Sequence, residues 1–133
     1  GTRPVLLCAI GSGLAPIVAM LADASKRRDP RRFTLYYGAR RPQDLPDLAS
    51  LTGSLDLDLT YVPTLDGLEP GDDWQGAVGN VTRAIQGGVD DAHDVDAYLC
   101  GAPPMCDAVG RLLAAKGLPT DQLYFDRFFA ASD

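Results

Sequence analysis

Five short runs of apolar and β-prone residues recur along the chain, separated by glycine, proline and charged residues. Their length and composition are typical of strands, and they span residues 5–9, 33–38, 55–62, 97–100 and 123–125. Helical patterns lie after the first glycine turn and at residues 45–51, 81–86 and 105–116. Because strands that alternate with helices form parallel sheets, the pattern predicts an α/β fold with a five-stranded parallel sheet flanked by helices.

Turn residues set the expected ends of these elements. Pro16 indicates the first turn of the first helix, where proline is well accommodated. Asn80 is expected to cap the helix at residues 81–86, and Gly117 to follow the helix at residues 105–116. Pro63 is expected to stop the third strand, which leaves residues 64–76 as a long loop.

The segment Gly11-Ser12-Gly13 ends the first strand and opens the first helix. Glycine has no Cβ, so a phosphate can approach the backbone closely at such a turn. The first N–H groups of the helix and the positive end of its dipole attract an anion. A Gly-x-Gly pattern is weak by itself, and it is equally consistent with a turn that binds no ligand.

Composition narrows the classes of function. Hydrophobic residues make up 46% and charged residues 23% of the 133 residues, as in ordinary globular domains. The net charge of −6 argues against a general nucleic-acid surface, and no apolar run reaches the length of a membrane span. The three cysteines are an odd number without metal-ligand spacing, so we expect no metal site and no disulfide framework. Scarce cysteines and the lack of a signal peptide fit a cytoplasmic setting.

Four motifs follow one another in order over nearly the whole chain. They are GSGLAP at residues 11–16, LYYGAR at 35–40, CGAPPM at 100–105 and YFDRF at 124–128. The chain thereby resembles the nicotinamide-binding domain of the ferredoxin–NADP reductase superfamily. The closest likeness is to the reductase component of bacterial multicomponent oxygenases of the phenol hydroxylase and methane monooxygenase type. The resemblance implies a three-layer, Rossmann-like fold in which residues 1–133 form a single NAD(P)-binding domain excised from a larger flavin-containing reductase.

The resemblance implies a set of cofactor-binding residues. The first motif matches the family's Gly-Thr-Gly-Leu-Ala-Pro and implies a pyrophosphate site at Gly11, Ser12, Gly13, Leu14 and Pro16. The second implies an adenosine site at Gly38, Ala39 and Arg40. The third matches the family's Cys-Gly-Pro-Pro and implies a nicotinamide site at Cys100, Gly101, Ala102, Pro103 and Met105. The chain departs from the family pattern at Ala9 and Ile10, where glycines are usual, and at Ala102, where proline is usual.

Three further roles are implied by the same resemblance. Cys100 is the expected catalytic residue, nearest the nicotinamide carbon that carries the hydride, and it acts through shape and polarisability rather than as a nucleophile. Phe128 belongs to a C-terminal tail that lies close to the flavin in the family. Relatives that use NADP carry a Ser-Arg pair where this chain has Pro63 and Thr64, so Thr64 is expected at the coenzyme and NADH is favoured over NADPH.

The implied function is to hold NADH in a flavin-dependent electron-transfer reductase. NAD(H) binds this domain and gives its hydride to FAD held elsewhere, which passes single electrons through a 2Fe-2S centre to an oxygenase. The implied partners are a flavin-binding domain, an iron–sulfur domain or protein and the oxygenase component, with no nucleic acid and no membrane.

Other readings stay open at this point. A non-catalytic nucleotide-binding regulatory or scaffold domain is the main alternative. A methyltransferase is a weaker one, because an acidic residue is expected to end its second strand and Tyr37-Gly38-Ala39-Arg40 stands there instead. Arg40 and Arg41 also leave NADPH open, since arginine pairs well with phosphate.

Overall fold

A parallel sheet forms the centre of the fold. The computed structural model describes residues 2–47 and 53–127. The strands in these ranges are β1 (Val5–Ile10), β2 (Arg32–Ala39), β3 (Asp58–Leu65), β4 (Ala77–Val78), β5 (Asp96–Gly101) and β6 (Leu123–Arg127). They form one six-stranded sheet in the order β4-β3-β2-β1-β5-β6, and all neighbouring pairs run parallel.

Helices cover both faces of this sheet. In the described ranges they are α1 (Leu14–Lys26), α2 (Val81–Gly88) and α3 (Pro103–Ala115). The Asn80 side chain accepts a hydrogen bond from the backbone N–H of Arg83 at 2.9 Å, which confirms the predicted cap of α2. Helix α3 begins at Pro103 rather than at Met105, because prolines fit the first turn of a helix. None of these helices, as far as the chain is described, has the length and apolar character needed to cross a membrane.

Alternating side chains of the strands build two buried layers. On β1, Leu6 and Cys8 pack with residues of α2 and α3. Val5, Leu7 and Ala9 point the other way and pack with residues of α1. Burial on both faces explains why the first strand has a continuous apolar sequence, and it confirms the three-layer arrangement.

The sheet has one strand more than the five that the sequence predicts. The additional strand β4 contains only Ala77 and Val78, which pair with Thr64 and Leu65 of β3. Two residues are too few to produce a periodic signal, so only the tertiary pairing reveals this strand.

Strand β3 continues through Pro63 to Leu65, so the prediction that Pro63 stops it was wrong. Pro63 pairs in register with Tyr37 of β2. In the described part of the chain, the other side of β3 is paired only at its last two residues. Proline has no N–H to donate and is tolerated where a strand lies at the edge of a sheet.

The predicted helix at residues 45–51 is not found where the structure describes this segment. A short 3-10 turn occupies Pro42–Asp44, and residues 45–47 are not helical. Leu45 is extended because it precedes Pro46, and a residue before proline is driven out of the helical region. Residues 48–51 lie outside the described residues.

The order of the strands places a reversal beside β1. Strands β2, β3 and β4 follow on one side of β1, whereas β5 and β6 lie on its other side. In open α/β sheets, ligands bind in the crevice outside the carboxyl ends of the strands at such a reversal. The topology therefore directs attention to the ends of β1, β2 and β5.

Candidate functional site

A cleft of about 700 Å³ opens at the carboxyl ends of β1, β2 and β5. This volume is typical of a site for a small molecule or cofactor. Its lining combines apolar side chains with a few polar ones and consists of Ile10, Gly11, Tyr37, Gly38, Ala39, Arg40, Asp44, Asp66, Asn80, Val81, Thr82, Ala102, Pro104, Met105 and Ala108.

The structure brings part of the predicted site together in this cleft. Six of the predicted residues line it: Gly11, Gly38, Ala39, Arg40, Ala102 and Met105. The other predicted residues within the described ranges do not line it: Ser12, Gly13, Leu14, Pro16, Thr64, Cys100, Gly101 and Pro103. Phe128 lies outside the described residues.

Gly11 forms an open turn between β1 and α1. Its φ of +54° lies in the left-handed region that favours glycine, and a Cβ added there would meet no atom within 4 Å. The hydroxyl of Tyr37 donates a hydrogen bond to the Gly11 carbonyl oxygen at 3.3 Å. Burial raises the pKa of Tyr37, with a further contribution from the Asp44 carboxylate, so the hydroxyl stays protonated. The turn thus presents exposed backbone at the positive end of α1.

Gly13 has a different role in the same turn. A Cβ on Gly13 would collide with the Cys100 carbonyl group and lie 2.6 Å from its carbon. The missing side chain lets the turn after β1 lie directly against the end of β5. The fold therefore requires Gly13, whereas Gly11 is the glycine that is open toward a ligand.

The end of the cleft beside β2 and β3 carries charge. Arg40, Asp44 and Asp66 line this end, and the Arg40 Nη1 atom lies 3.6 Å from the Asp66 Oδ1 atom. Gly38 also lines this end of the cleft. A Cβ on Gly38 would lie 2.8 Å from the Val81 Cγ1 atom, so a larger residue here would collide with the start of α2. The small residue at the end of β2 lets the start of α2 approach the sheet.

The other end of the cleft, beside β5, is apolar. Ile10 fills the space between Gly38 and Gly101: its side-chain carbons lie 3.1 Å and 2.8 Å from the positions that a Cβ would take on these glycines. A Cβ on Gly101 would also lie 3.0 Å from the Met105 Cε atom. The Cys8 thiol donates to the Met105 sulfur at 3.7 Å, which helps to hold this side chain in place.

Cys100 is the residue before the last one of β5, and it does not line the cleft. Its exposed fraction is 4%, and it belongs to the buried layer under α1. Cys8 and Cys106 are buried in the opposite layer, and all three residues are thiols. Burial raises the pKa of Cys8, and the two neighbouring cysteines raise it further. The expected catalytic role of Cys100 stays a prediction.

Thr64 is built into the sheet instead of the cleft. Its exposed fraction is 1%, and its hydroxyl donates a hydrogen bond to the Gly79 carbonyl oxygen at 2.8 Å. This bond ties β3 to the loop that precedes α2. Because the hydroxyl is used inside the fold, the structure does not bring the Thr64 side chain to the cleft.

The sequence analysis missed most polar groups of the cleft, namely those of Tyr37, Asp44, Asp66, Asn80 and Thr82. Asn80 was recognised only as a helix cap. An acidic residue soon after a strand is a signal that could have been used, because such residues often face a ribose in dinucleotide-binding folds. Asp66 follows β3 directly, but its position beside Arg40 depends on how β3 pairs with β2.

No metal centre is found among the described residues, where no three His, Cys, Asp or Glu side chains are grouped suitably. His93 is the only histidine of the chain. Its side chain is 72% exposed, and its Nδ1 atom lies 2.9 Å from an Asp91 carboxylate oxygen. His93 is therefore a surface residue.

The family model described as "Oxidoreductase NAD-binding domain" matches residues 6–111. The chain belongs to this family. Its relatives include the reductase component of propane 2-monooxygenase from Rhodococcus jostii (strain RHA1), 37% identical over 131 residues. The match covers 94% of this chain and 35% of that relative. The reductase component DmpP of phenol 2-monooxygenase from Pseudomonas sp. (strain CF600) is 34% identical over 132 residues. This match covers 97% of this chain and 37% of DmpP.

A solved structure shows the same fold. The ferredoxin reductase in carbazole 1,9a-dioxygenase has a TM-score of 0.82 and 33% identity over 96% of this chain and 38% of that chain. These matches confirm the resemblance to nicotinamide-binding domains of oxygenase reductases and favour it over the scaffold and methyltransferase alternatives. The chain spans little more than a third of the length of the curated relatives it matches.

Proposed function

We propose that the chain binds NADH across the carboxyl ends of its strands and presents the nicotinamide to a flavin held outside residues 1–133. The observation that carries this proposal is the open turn at Gly11, which borders a cleft of about 700 Å³ in a member of an NAD-binding family. Sites for small molecules usually measure about 300–1,000 Å³, so the cleft offers enough room for a dinucleotide that extends partly into solvent.

The turn before α1 is the proposed pyrophosphate site. Gly11 and Ser12 are exposed, while Leu14 and Pro16 belong to the first turn of α1. The first N–H groups of a helical turn have no partner within it, so those of the 3-10 turn before α1 can donate to phosphate oxygens. The Leu14 N–H already donates to the carbonyl oxygens of Gly11 and Ser12. Pro16 has no N–H to donate. Gly13 supports the site from beneath by letting the turn approach β5. Backbone donors thus do most of the binding, and the Ser12 hydroxyl is the added side-chain donor.

The two halves of the coenzyme lie on either side of β1 in this proposal. Gly38, Ala39 and Arg40 at the end of β2 receive the adenosine. The nicotinamide lies at the end of β5, near Gly101, Ala102, Pro103 and Met105. Neighbouring strands are about 4.8 Å apart, so the ends of β2 and β5 are roughly 10 Å apart, a separation that a pyrophosphate centred on β1 can bridge.

The longer protein supplies the remaining redox centres. Bound NADH provides the hydride, and we place its acceptor FAD and a 2Fe-2S centre outside this chain, with an oxygenase as the final partner. The support comes from relatives named as reductase or electron transfer components of propane 2-monooxygenase and 2-halobenzoate 1,2-dioxygenase. The three cysteines are also too few for the four ligands of a plant-type cluster, and their thiol state fits a cytoplasmic reductase.

Cys100 is the residue that we propose nearest to the transferred hydride. It stands at the carboxyl end of β5, directly before the tight approach of Gly101 to Ile10 and Met105. No acid or base is needed, because the hydride moves without a proton. The thiol would contribute a close contact of suitable shape, and its neighbours fix its position.

Calorimetric titration of the chain with NADH tests the binding step. We expect one NADH per chain. A mixture of the chain, NADH, free FAD and a dye should reduce the dye only slowly, because holding the two reactants together supplies a large part of the rate. Absence of NADH binding would contradict the proposed function, and rapid dye reduction would contradict the assignment of the flavin site to another part of the protein.

A further inference from the structure

Two tyrosines stand side by side near the end of β2 and point to opposite faces of the sheet. Tyr36 belongs to the buried layer under α2 and α3, whereas Tyr37 belongs to the layer under α1. Each of them is 6% exposed. Of the two, Tyr37 lines the cleft. Its ring is therefore fixed in the core, while its hydroxyl reaches the turn at Gly11.

The Gly11 carbonyl oxygen accepts two hydrogen bonds. One comes from the Leu14 N–H and closes the 3-10 turn of residues 11–13. The other comes from the Tyr37 hydroxyl at 3.3 Å, across 26 positions of the sequence. The first bond is local to the turn, and the second links the turn to β2.

The direction of the Gly11 carbonyl group fixes the direction of the next N–H group. The Gly11 C=O and the Ser12 N–H belong to one planar trans peptide unit, in which the two groups point to opposite sides. The Tyr37 hydroxyl lies on the carbonyl side of this unit, so the Ser12 N–H is turned away from it. The first N–H groups of a helical turn have no partner within it, so this one can donate to a phosphate oxygen.

This peptide unit has few other restraints. Gly11 has a φ of +54°, and a Cβ added there would meet no atom within 4 Å, so side-chain packing does not restrict it. Glycine adopts left-handed and right-handed conformations about equally readily. The Leu14 N–H is shared between the carbonyl oxygens of Gly11 and Ser12, so it restrains the Gly11 carbonyl group only in part. Rotation of the unit would turn the Ser12 N–H away from the place that we propose for the pyrophosphate.

On the basis of the proposed NADH site, we infer that Tyr37 is a positioning residue, whose hydroxyl holds the Gly11 carbonyl group and thereby presents the Ser12 N–H to the pyrophosphate. It acts through the turn and not by touching the coenzyme. Without this bond the turn also adopts orientations that do not bind, and the apparent affinity falls with the fraction of chains in the binding orientation. A neutral hydrogen bond shifts such an equilibrium by roughly two- to ten-fold.

Tyr37→Phe is the decisive variant, because it removes the hydroxyl and keeps the ring. The Gly11 carbonyl oxygen retains its bond from the Leu14 N–H, so it is not left without a partner and the variant should fold. Tyr36→Phe is the matched control, since it removes a phenol oxygen from an equally exposed neighbour in the opposite layer. Tyr61→Phe is a second control that packs against the same layer as Tyr37. Among the described residues, the buried Tyr61 hydroxyl has no hydrogen-bond partner.

The experiment is calorimetric titration of each chain with NADH and with ADP-ribose, together with amide NMR titration with adenosine. We expect Tyr37→Phe to lower the affinities for NADH and ADP-ribose by the same factor of roughly two- to ten-fold, since both contain the pyrophosphate. Adenosine has no phosphate, so its affinity should equal that of the unaltered chain. Both control variants should keep the NADH affinity of the unaltered chain.

The outcomes separate this inference from the proposed function. If the unaltered chain binds neither NADH nor ADP-ribose, the proposed function fails, and the role of Tyr37 fails with it. If the unaltered chain binds NADH and Tyr37→Phe binds it as tightly as Tyr36→Phe does, the role of Tyr37 is overturned while the proposed function stands. An equal loss of affinity for adenosine would place the effect at the adenosine end and overturn the part assigned to the turn.

Discussion

Gly11→Ala separates a ligand-binding role of the first glycine turn from a purely structural one. Gly11 has a φ of +54°, and a Cβ added there meets no atom within 4 Å. The structural penalty is therefore limited to placing an alanine in the left-handed region, which is about 1–2 kcal/mol. Folded domains have roughly 5–15 kcal/mol of stability, so the variant should remain folded.

The effect on binding should be larger than this backbone penalty suggests. The Cβ that the substitution adds would stand in the open space where we place the pyrophosphate, so the phosphate would have to move away from the N–H groups of the turn. Hydrogen bonds to charged groups contribute about 1.5–3 kcal/mol each. Loss of one such bond corresponds to an NADH affinity lower by about ten-fold or more.

The assay pairs calorimetric titration with NADH and urea unfolding of the same samples. Gly71→Ala is the matched control. Gly71 also has a left-handed φ, +91°, with nothing within 4 Å of an added Cβ, but it lies outside the cleft. Both variants should lose similar stability, and only Gly11→Ala should lose NADH affinity. Unchanged NADH affinity in a folded Gly11→Ala chain would refute the placement of the pyrophosphate at this turn.

Three other substitutions test separate parts of the structure. Gly13→Ala should lower the free energy of unfolding in urea titrations by at least about 1–3 kcal/mol, because the added Cβ collides with the Cys100 carbonyl group. Unchanged stability would contradict the close packing of this turn. In the longer reductase that we propose, Cys100→Ala should slow reduction of FAD by NADH about ten-fold or more in stopped-flow experiments and change NADH affinity less. A rate in Cys100→Ala equal to that of the unaltered reductase would make Cys100 a packing residue. The Arg31 guanidinium hydrogen-bonds to the Asp29 carboxylate and lowers its pKa to about 2. The stability from this pair is thus present above about pH 4 and is lost as the pH falls toward 2. In Asp29→Asn, the free energy of unfolding should therefore fall less between pH 4 and pH 2 than in the unaltered chain. An equal fall in both chains would contradict the pairing.

The sequence determined the class of fold because its signals are local. An apolar run at residues 5–9 followed by glycines and a proline-containing helix start describes a strand, a turn and a helix without reference to the rest of the chain. Asn80 likewise predicted a cap that forms within four residues. The family resemblance added the order of the motifs and so identified the ends of β1, β2 and β5 as the candidate site.

The tertiary structure decided the features that depend on residues distant in sequence. The short strand β4 exists only because Ala77 and Val78 pair with β3, and Pro63 remains in β3 because most of that strand lies at an edge. The different roles of Gly11 and Gly13 could not be separated by sequence, since Gly13 is constrained by Cys100, far along the chain.

The charges of the cleft were decided in the same way. Arg40 and Arg41 are adjacent in sequence and look equivalent, yet Arg41 is neutralised by Asp72 and Glu69 whereas Arg40 reaches the cleft beside Asp66. Their partners come from the loop after β3, which the pairing of β3 with β2 brings alongside. A charged side chain acts on whatever the fold places within a few ångströms of it, and that distance is fixed only when the strands have paired.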